Sequence, residues 1–273
     1  MSAPVSLQIF IGFFMFALVF IPLEHFRPAH QQKSMRRGWK IDVLYYVAGC
    51  FVGHVSDALS LGGMLILRHA LGLNTAHFAG MQPGWMQFIE LIILADFFAY
   101  FFHRALHRNP YLWRLHKVHH SSPNMDWLAN VRLHPLDKIL GDCFQFIPIF
   151  LLGFGDGPLL AYTIVLGFQG FLNHSNVKLD YGPLRWVIAN PQFHHWHHCN
   201  DTNHYNRNFA PHLVIFDLLF GTAYIPPRGV MPDTYGVPDD VPESFLRQMV
   251  FPFVSTGHAI ESEEPEREAA VRY

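Results

Sequence analysis

Long apolar stretches limit how this 273-residue chain can fold more than any other feature of its sequence. The first stretch, Leu7 to Leu23, has 17 residues with one polar member. This length is at the short end of what crosses a hydrocarbon core of about 30 Å. No basic segment precedes the stretch and no small-residue cleavage site follows it, so we expect a retained membrane anchor rather than a signal peptide.

Later apolar stretches predict further spans. Ile41 to Leu71 is too long for one straight span and contains His54 and Asp57, so we expect it to tilt or break. Trp85 to Phe102 predicts a third span, and this span carries Asp96. Two stretches flank a Gly-Asp-Gly turn and predict a hairpin that crosses the bilayer and returns: Ile139 to Phe154 and Leu159 to Phe171.

Lysine and arginine are concentrated in the linker after the first span and in the segment after the third. By the positive-inside rule both segments lie in the cytoplasm and the N-terminus lies outside. The hairpin then returns to the cytoplasm just before His174, so all histidine-rich segments share the cytoplasmic side. The residues counted are Arg27, Lys33, Arg36, Arg37, Lys40, Arg104, Arg108, Arg114, Lys117, Arg132 and Lys138.

Composition removes several classes of protein. The net charge is −2 and there is no basic stripe with interleaved aromatic residues, so we expect no nucleic-acid partner. The three cysteines, Cys50, Cys143 and Cys199, are far apart and lack CxxC spacing, which argues against a disulfide framework and a zinc ribbon. Histidine is the unusual residue: ten of the 19 lie within residues 103–120 and 194–204.

These histidines form three boxes. On a helix, residues three or four apart share a face, so the imidazoles of one box can reach the same metal site. A single HxxxH pair is weak evidence for metal binding. Eight imidazoles at ligand spacing beside apolar spans favour metal binding over the alternative that these are ordinary core histidines. The boxes are His103-Arg-Ala-Leu-His107, His116-Lys-Val-His119-His120 and His194-His195-Trp196-His197-His198.

The number of ligands indicates two metal ions. A structural zinc takes four ligands, and a catalytic zinc takes three protein ligands and a water. Eight imidazoles exceed both, and two ions with four or five imidazoles each fit better. Nitrogen ligands with open positions suit redox iron, although imidazole also suits zinc, copper and nickel. The boxes contain no Asp or Glu, so this is not the carboxylate site of ferritin-like bundles.

The sequence from Asp96 to Thr222 resembles the fatty acid hydroxylase and sterol desaturase superfamily of membrane di-iron enzymes. The resemblance rests on the three boxes and on phrases around them. In the family, the third box is commonly followed by Asn-Tyr-Gly, then Trp-Asp and Leu-Phe-Gly-Thr. In this sequence the Tyr, the Gly and the Trp of these phrases are replaced. The stretches concerned are Asp96 to His107, Leu112 to Ser121, Arg132-Leu-His134-Pro135, Asn173-His174-Ser175, Pro191 to His198, Asn208-Phe209-Ala210, Phe216-Asp217 and Leu219 to Thr222.

This resemblance implies transmembrane helices under a cytoplasmic helical cap in which the box histidines bind two iron ions (Fe2+/Fe3+) that activate O2. It also implies electrons from NAD(P)H, delivered by a separate redox protein that is cytochrome b5-like or ferredoxin-like and acts with a reductase. His174 becomes a ninth expected ligand, with capping of a helix end as the alternative. His134 is either a further ligand or a histidine that orders its loop.

Several polar residues near the boxes have predicted roles beside the metal. Asp96 lies two helical turns before His103, and it could orient that ring or a neighbouring ligand through the second imidazole nitrogen. Tyr100 could do the same with its hydroxyl group; for both, a polar bond between spans is the alternative. His195 and His204 fall outside the HxxHH spacing, and we expect them to support ligands or contact substrate.

We therefore predict an all-α, multi-span transmembrane helical bundle with a cytoplasmic helical cap that holds a histidine-rich di-metal site. The expected parts are an N-terminal transmembrane region (1–84), a catalytic domain (85–225) and a C-terminal cytoplasmic segment (226–273) whose last residues, 255–273, form a disordered tail. No Gly-rich dinucleotide fingerprint or haem-binding phrase occurs in the sequence, which favours an external electron donor.

The expected activity is O2-dependent hydroxylation, or desaturation, of a membrane lipid such as a fatty acyl chain or sterol. Two other classes remain as alternatives. A membrane metal-transport or storage protein should carry its ligands within the spans near the midplane. A zinc-dependent membrane hydrolase should carry a His-Glu-x-x-His signature, which this sequence lacks.

Overall fold

The computed structural model describes residues 5–73, 78–238 and 241–254. Within these ranges the regular structure is helical apart from isolated β-bridges, which confirms the all-α class. The predicted tail from residue 255 lies outside them. The helices are α1 (Val5–Phe26), α2 (Trp39–Ala70), α3 (Gly84–Arg108), α4 (Pro110–His120), α5 (Pro135–Leu152), α6 (Asp156–His174), α7 (Pro191–His197), α8 (Ile215–Leu219) and α9 (Phe245–Val250).

Among the described residues, α1, α2 and α3 are the helices that are long and apolar enough to cross a membrane. Large apolar side chains on them point outward: Leu18, Ile66 and Trp85 are 77%, 72% and 68% exposed. Soluble monomers rarely expose apolar surface of this extent. Outward-facing apolar residues on helices of this length fit contact with lipid.

The second apolar stretch does not break. Helix α2 is continuous over 32 residues, which corresponds to about 48 Å at 1.5 Å per residue. The glycines do not interrupt the helix, and Gly63 permits close packing, because a Cβ there would lie 2.7 Å from Cδ1 of Ile147 in α5. A helix longer than the hydrocarbon core is accommodated by tilt or by extension beyond the membrane.

Helices α5 and α6 form a hairpin at the predicted place, but neither is among the described helices that are long and apolar enough to cross a membrane. Gly153 ends α5 with a φ of 69°, in the left-handed region that glycine adopts without steric cost. The hairpin packs along α3 through a buried apolar cluster that includes Leu91, Ile149 and Leu166. Both α3 and α6 end in a histidine-rich segment, so this packing brings the first box close to His174.

The first two boxes meet because the chain turns sharply between α3 and α4. Asn109 caps α4 by accepting hydrogen bonds from two backbone N–H groups, and Pro110 occupies the first helical position, where no N–H is needed. The ring centroids of His107 and His120 consequently lie 4.8 Å apart. As predicted, α3 runs unbroken from the apolar span through the first box.

Four buried charged side chains form a network between the N-terminal linker, α2 and the segment after α4. The Asp42 carboxylate accepts from Arg36 Nη2 at 2.8 Å and from Arg132 Nε at 2.5 Å. Arg36 also donates to Asp126 at 2.5 Å. These side chains are at most 4% exposed, so two of the arginines counted for topology also hold the fold together.

Replacing Asp42 by Asn should destabilise the protein strongly, because it leaves two buried guanidinium groups short of a carboxylate. Breaking a buried charge network in this way costs about 3 kcal/mol or more of free energy of unfolding. The measurement is the melting temperature in detergent. Glu243→Gln is the matched control, because Glu243 is 64% exposed in its ion pair with Arg37. Equal melting temperatures for D42N and wild type would contradict this role.

Candidate metal centre

Nine histidine side chains from α3, α4, α6 and the α7 region meet and form two groups. Within each group, one ring nitrogen per residue lies within 4.8 Å of the others. Group A consists of His103, His107, His116, His120 and His197, and group B consists of His119, His174, His194 and His198. All eight box histidines and the expected ninth residue, His174, are therefore brought together.

Each HxxHH box contributes to both groups. In both boxes the first and last histidines, four residues apart, belong to one group, and the middle histidine belongs to the other. Residues four apart lie on one helical face, and the remaining histidine is turned away from that face. A box of this spacing can thus supply ligands to two neighbouring ions, whereas the HxxxH box supplies only group A.

Hydrogen bonds from Nδ1 orient most of the rings. A backbone carbonyl only accepts, so a ring that bonds to one through Nδ1 carries its proton there and keeps a lone pair on Nε2. His116 Nδ1 instead lies 2.7 Å from the Asp137 carboxylate. The carbonyl pairs are His103 with Phe209 (2.7 Å), His119 with Arg132 (3.1 Å), His174 with Gly170 (2.8 Å) and His197 with Arg207 (2.8 Å).

Two lone pairs face each other in group B. The Nε2 atoms of His119 and His174 are 3.2 Å apart, and both rings donate their Nδ1 protons elsewhere. No hydrogen bond can form between two such atoms, and the lone pairs repel. A shared cation removes this repulsion, and a separation near 3 Å is expected for neighbouring nitrogen ligands about 2.1 Å from one metal ion.

Group A fits a bound cation for a different reason. The Nε2 atoms of His107, His120 and His197 are buried and have no hydrogen-bond partner among the described residues. Buried polar atoms are almost always satisfied, so three unpaired nitrogens in one group need an explanation. A metal ion bound to the group would satisfy all three.

The protein keeps these rings neutral. Burial, followed by repulsion from neighbouring histidines, lowers the pKa of His116, His120 and His198 well below its usual value. His119 and His197 have lowered pKa values for the same first reason. Neutral imidazoles are the form that binds metals, so the site is prepared for ligation at neutral pH.

The two groups are adjacent. The rings of His120 in group A and His198 in group B stack with centroids 4.3 Å apart and an angle of 24° between their planes. In the described part of the chain, no Asp, Glu or Cys belongs to either group. The donor set therefore fits two neighbouring transition-metal ions with imidazole ligands.

Two cavities reach the histidines from different directions. One of about 770 Å³ lies among α2, α3, α5 and α6, and His174 and His194 of group B belong to its lining. Its remaining wall is largely apolar and includes Phe146 and Phe150. A smaller cavity of about 250 Å³ is lined by His107, His120 and His197 of group A. Trp113, Cys199 and Tyr205 also belong to its lining.

Asp96 and Tyr100 do not contact the box histidines through the hydrogen bonds that the sequence suggested. The Asp96 carboxylate accepts from the backbone N–H groups of His212 and Leu213 at 3.0 and 2.8 Å. The Tyr100 hydroxyl pairs with Thr222 Oγ1 at 2.9 Å. Both residues instead hold the segment after the third box. The second nitrogen of His103 is not available to them, because it donates to the Phe209 carbonyl of that segment.

The other candidates also have partners outside the two groups. His134 caps α5 by accepting from the Leu136 N–H, and its Nε2 donates to the Met249 carbonyl, which fits the loop-ordering alternative. His195 Nε2 donates to the Ser175 carbonyl, and its Nδ1 accepts from a tyrosine hydroxyl. His204 bonds to an aspartate three residues earlier.

Two carboxylates near the site were missed. Asp137 contacts His116, and nothing in the local sequence marks it except its position three residues after His134. Asp217 accepts from the backbone N–H groups of Phe209 and Ala210 at 2.9 and 2.7 Å. This sequence keeps the aspartate of the family's Trp-Asp phrase, so the resemblance could have identified Asp217. The replaced positions around it leave these backbone bonds intact.

Comparison with known proteins agrees with the geometry. The fatty acid hydroxylase family model matches residues 88–222, which include all nine histidines. The ornithine lipid hydroxylase OlsE of Rhizobium tropici is 33% identical over 193 residues, which are 70% of this chain and 58% of that protein. An alkylglycerol monooxygenase of Xenopus tropicalis is 27% identical over 147 residues, covering 53% and 31% of the two chains.

A very-long-chain aldehyde decarbonylase of Oryza sativa subsp. japonica is 27% identical over 191 residues, covering 62% of this chain and 28% of the rice protein. The alignments thus span 58% or less of these three relatives. No solved structure matches the chain. The family model, these relatives and the histidine site point to one conclusion: the chain belongs to the fatty acid hydroxylase family.

Proposed function

We propose that this chain is a membrane-bound, di-iron, O2-dependent oxidoreductase that hydroxylates a lipid. The observation that carries the proposal is the pair of facing Nε2 atoms on His119 and His174, an arrangement that fits a shared cation. The unpaired Nε2 atoms of group A support a second ion. Bound and reduced iron supplies the activation of O2 and the oxidation of an unactivated C–H bond.

The larger cavity supports a lipid substrate. It opens among helices whose outer surfaces are apolar, and it ends at His174 and His194. A hydrocarbon chain can lie along its apolar wall while one carbon is held beside group B. Fixing that carbon and excluding water is the contribution of the protein itself. Curated relatives named for an ornithine lipid and for alkylglycerols are consistent with a lipid substrate.

Hydroxylation is favoured over desaturation because two of these relatives are named hydroxylase and monooxygenase. The reaction inserts one oxygen atom of O2 into a C–H bond and reduces the other atom to water, which consumes two electrons and two protons. We propose that the electrons come from NAD(P)H through a separate cytochrome b5-like or ferredoxin-like protein and its reductase. The absence of a dinucleotide fingerprint from the sequence supports this assignment.

We also propose that the membrane helices carry the histidine site on the cytoplasmic side, as a cap. The support is the distribution of basic residues, which lie in the segments that flank the boxes. The ligands gather at the ends of α3 and α6, which does not fit a carrier with ligands near the membrane midplane. A zinc hydrolase remains the outcome to be tested against iron.

Purified protein made with sufficient iron should contain two iron ions per chain. His107→Gln removes a group A ligand and His174→Gln removes a group B ligand, so each variant should fall towards one iron per chain. Elemental analysis by mass spectrometry measures this directly. His204→Gln is the control, because His204 lies outside both groups. One zinc per chain in the wild type, without iron, would rule out the di-iron assignment.

Asp137→Asn should lower iron affinity about 10–100-fold, because the carboxylate beside His116 Nδ1 orients that ligand and increases its basicity. The measurement is iron retained during competition with a chelator, compared with wild type. Asp201→Asn serves as the control, since its carboxylate contacts His204 outside both groups. Unchanged retention in D137N would show that the contact does not tune the metal.

Lipids extracted from cells with the protein should contain a species carrying one additional oxygen atom, and cells with His174→Gln should lack it. Under isotope-labelled O2 the added oxygen should carry the label. Lipid mass spectrometry of both cultures makes the test. A new lipid that gains its oxygen from water, or one that persists in H174Q, would contradict the proposed chemistry.

A further inference from the structure

Three charged side chains line the large cavity: Asp57 on α2, and Lys138 and Asp142 on α5. Asp57 lies inside a helix that can span a membrane. Charged residues in such positions are costly and usually serve function. Neither the metal ligands nor the fold networks described above use these three residues.

The register between α2 and α5 aligns these charges. A Cβ on Gly53 would lie 3.9 Å from Lys138 Cε. Further along both helices, Ser60 Oγ lies 3.6 Å from Cys143 Sγ. Because the contacts advance in the same direction on both chains, the helices run parallel. Asp57 lies one turn after Gly53.

Asp142 likewise lies one turn after Lys138, so Asp57 and Asp142 are at the same level of the cavity. Lys138 Nζ donates to Asp142 Oδ2 at 2.7 Å, and the two side chains are 32% and 21% exposed. Asp57 is exposed towards the cavity side of the fold. The two carboxylates and one ammonium group leave one negative charge unbalanced among these cavity-lining residues. In surroundings of low dielectric constant such a charge attracts a cation strongly.

A second observation points to the same kind of ligand. Asn173 lines the cavity next to His174 and is 2% exposed, and its Oδ1 atom has no hydrogen-bond partner among the described residues. Its side-chain nitrogen is already used, because it donates to the Pro211 carbonyl at 2.8 Å. The free atom is therefore an acceptor. An ammonium group offers three donors and no acceptor.

We propose that the substrate is a lipid whose polar headgroup carries a primary ammonium group, which the cavity binds between Asp57 and Asp142. Asn173 Oδ1 accepts a further N–H of the polar headgroup. The inference rests on the proposed function, since it assigns the substrate class of the same site. The apolar wall around Phe146 and Phe150 takes the hydrocarbon, so oxidation occurs near the headgroup and not far along a chain.

The test compares binding of two lipids by the full chain in detergent: one with a primary amine in its headgroup, and the same lipid with that amine N-acetylated. We expect the wild type to bind the amine lipid at least about tenfold more tightly. Asp57→Asn and Asp142→Asn should each reduce this preference with the iron content unchanged. Asp142→Glu should retain it. Asp156→Asn, an acidic residue of the hairpin turn outside the cavity lining, should leave it intact.

Equal binding of both lipids by the wild type overturns the inference, whether or not the variants fold. Retention of the preference in both D57N and D142N also overturns it. Iron content and oxygen incorporation are measured separately. Two iron ions and oxidation of a lipid without an amine would leave the proposed function standing and remove this inference alone. Amine selectivity without iron or oxygen incorporation would support the amine-binding site and contradict the proposed function.

Discussion

The packing of nine imidazole rings into two adjacent groups is the constraint on which the structure depends. Rings that donate their Nδ1 protons outward must turn their Nε2 lone pairs inward, where they repel each other at about 3 Å in the absence of a cation. The groups that accept hydrogen bonds from Nδ1 are therefore as important as the ligands. Most of them are backbone carbonyls, three in loops and one inside α6, so the positions of these loops and of α6 determine the geometry of the site. The carbonyls belong to Arg132, Gly170, Arg207 and Phe209.

Two carboxylate networks hold those loops. Asp42 binds the Arg132 guanidinium, and the carbonyl of Arg132 accepts from His119, so a stability network leads directly to a group B ligand. On the other side, Asp217 holds the backbone N–H of Phe209, whose carbonyl accepts from His103 in group A. These carboxylates do not belong to either histidine group. They act instead on the backbone that orients the rings.

The two cavities make the site asymmetric. Group B faces the large cavity among the membrane-type helices, where an amphiphilic molecule can place hydrocarbon against apolar residues and polar atoms against Asp57, Asp142 and Lys138. Group A faces a smaller cavity beside Trp113. On the proposed function, a lipid bound in the large cavity lies beside group B, and the smaller cavity lies beside group A.

The long helices and the clustering of the three boxes could be predicted from the sequence, because these features follow from apolar length and from spacing within one or two helical turns. The sequence did not determine which histidine joins which group, the partner of Asp96 or the role of His134. Those depend on contacts such as His119 with His174, which are 55 residues apart, and His134 with Met249, which are 115 apart. Such contacts form only when separate helices pack, so local sequence patterns cannot predict them.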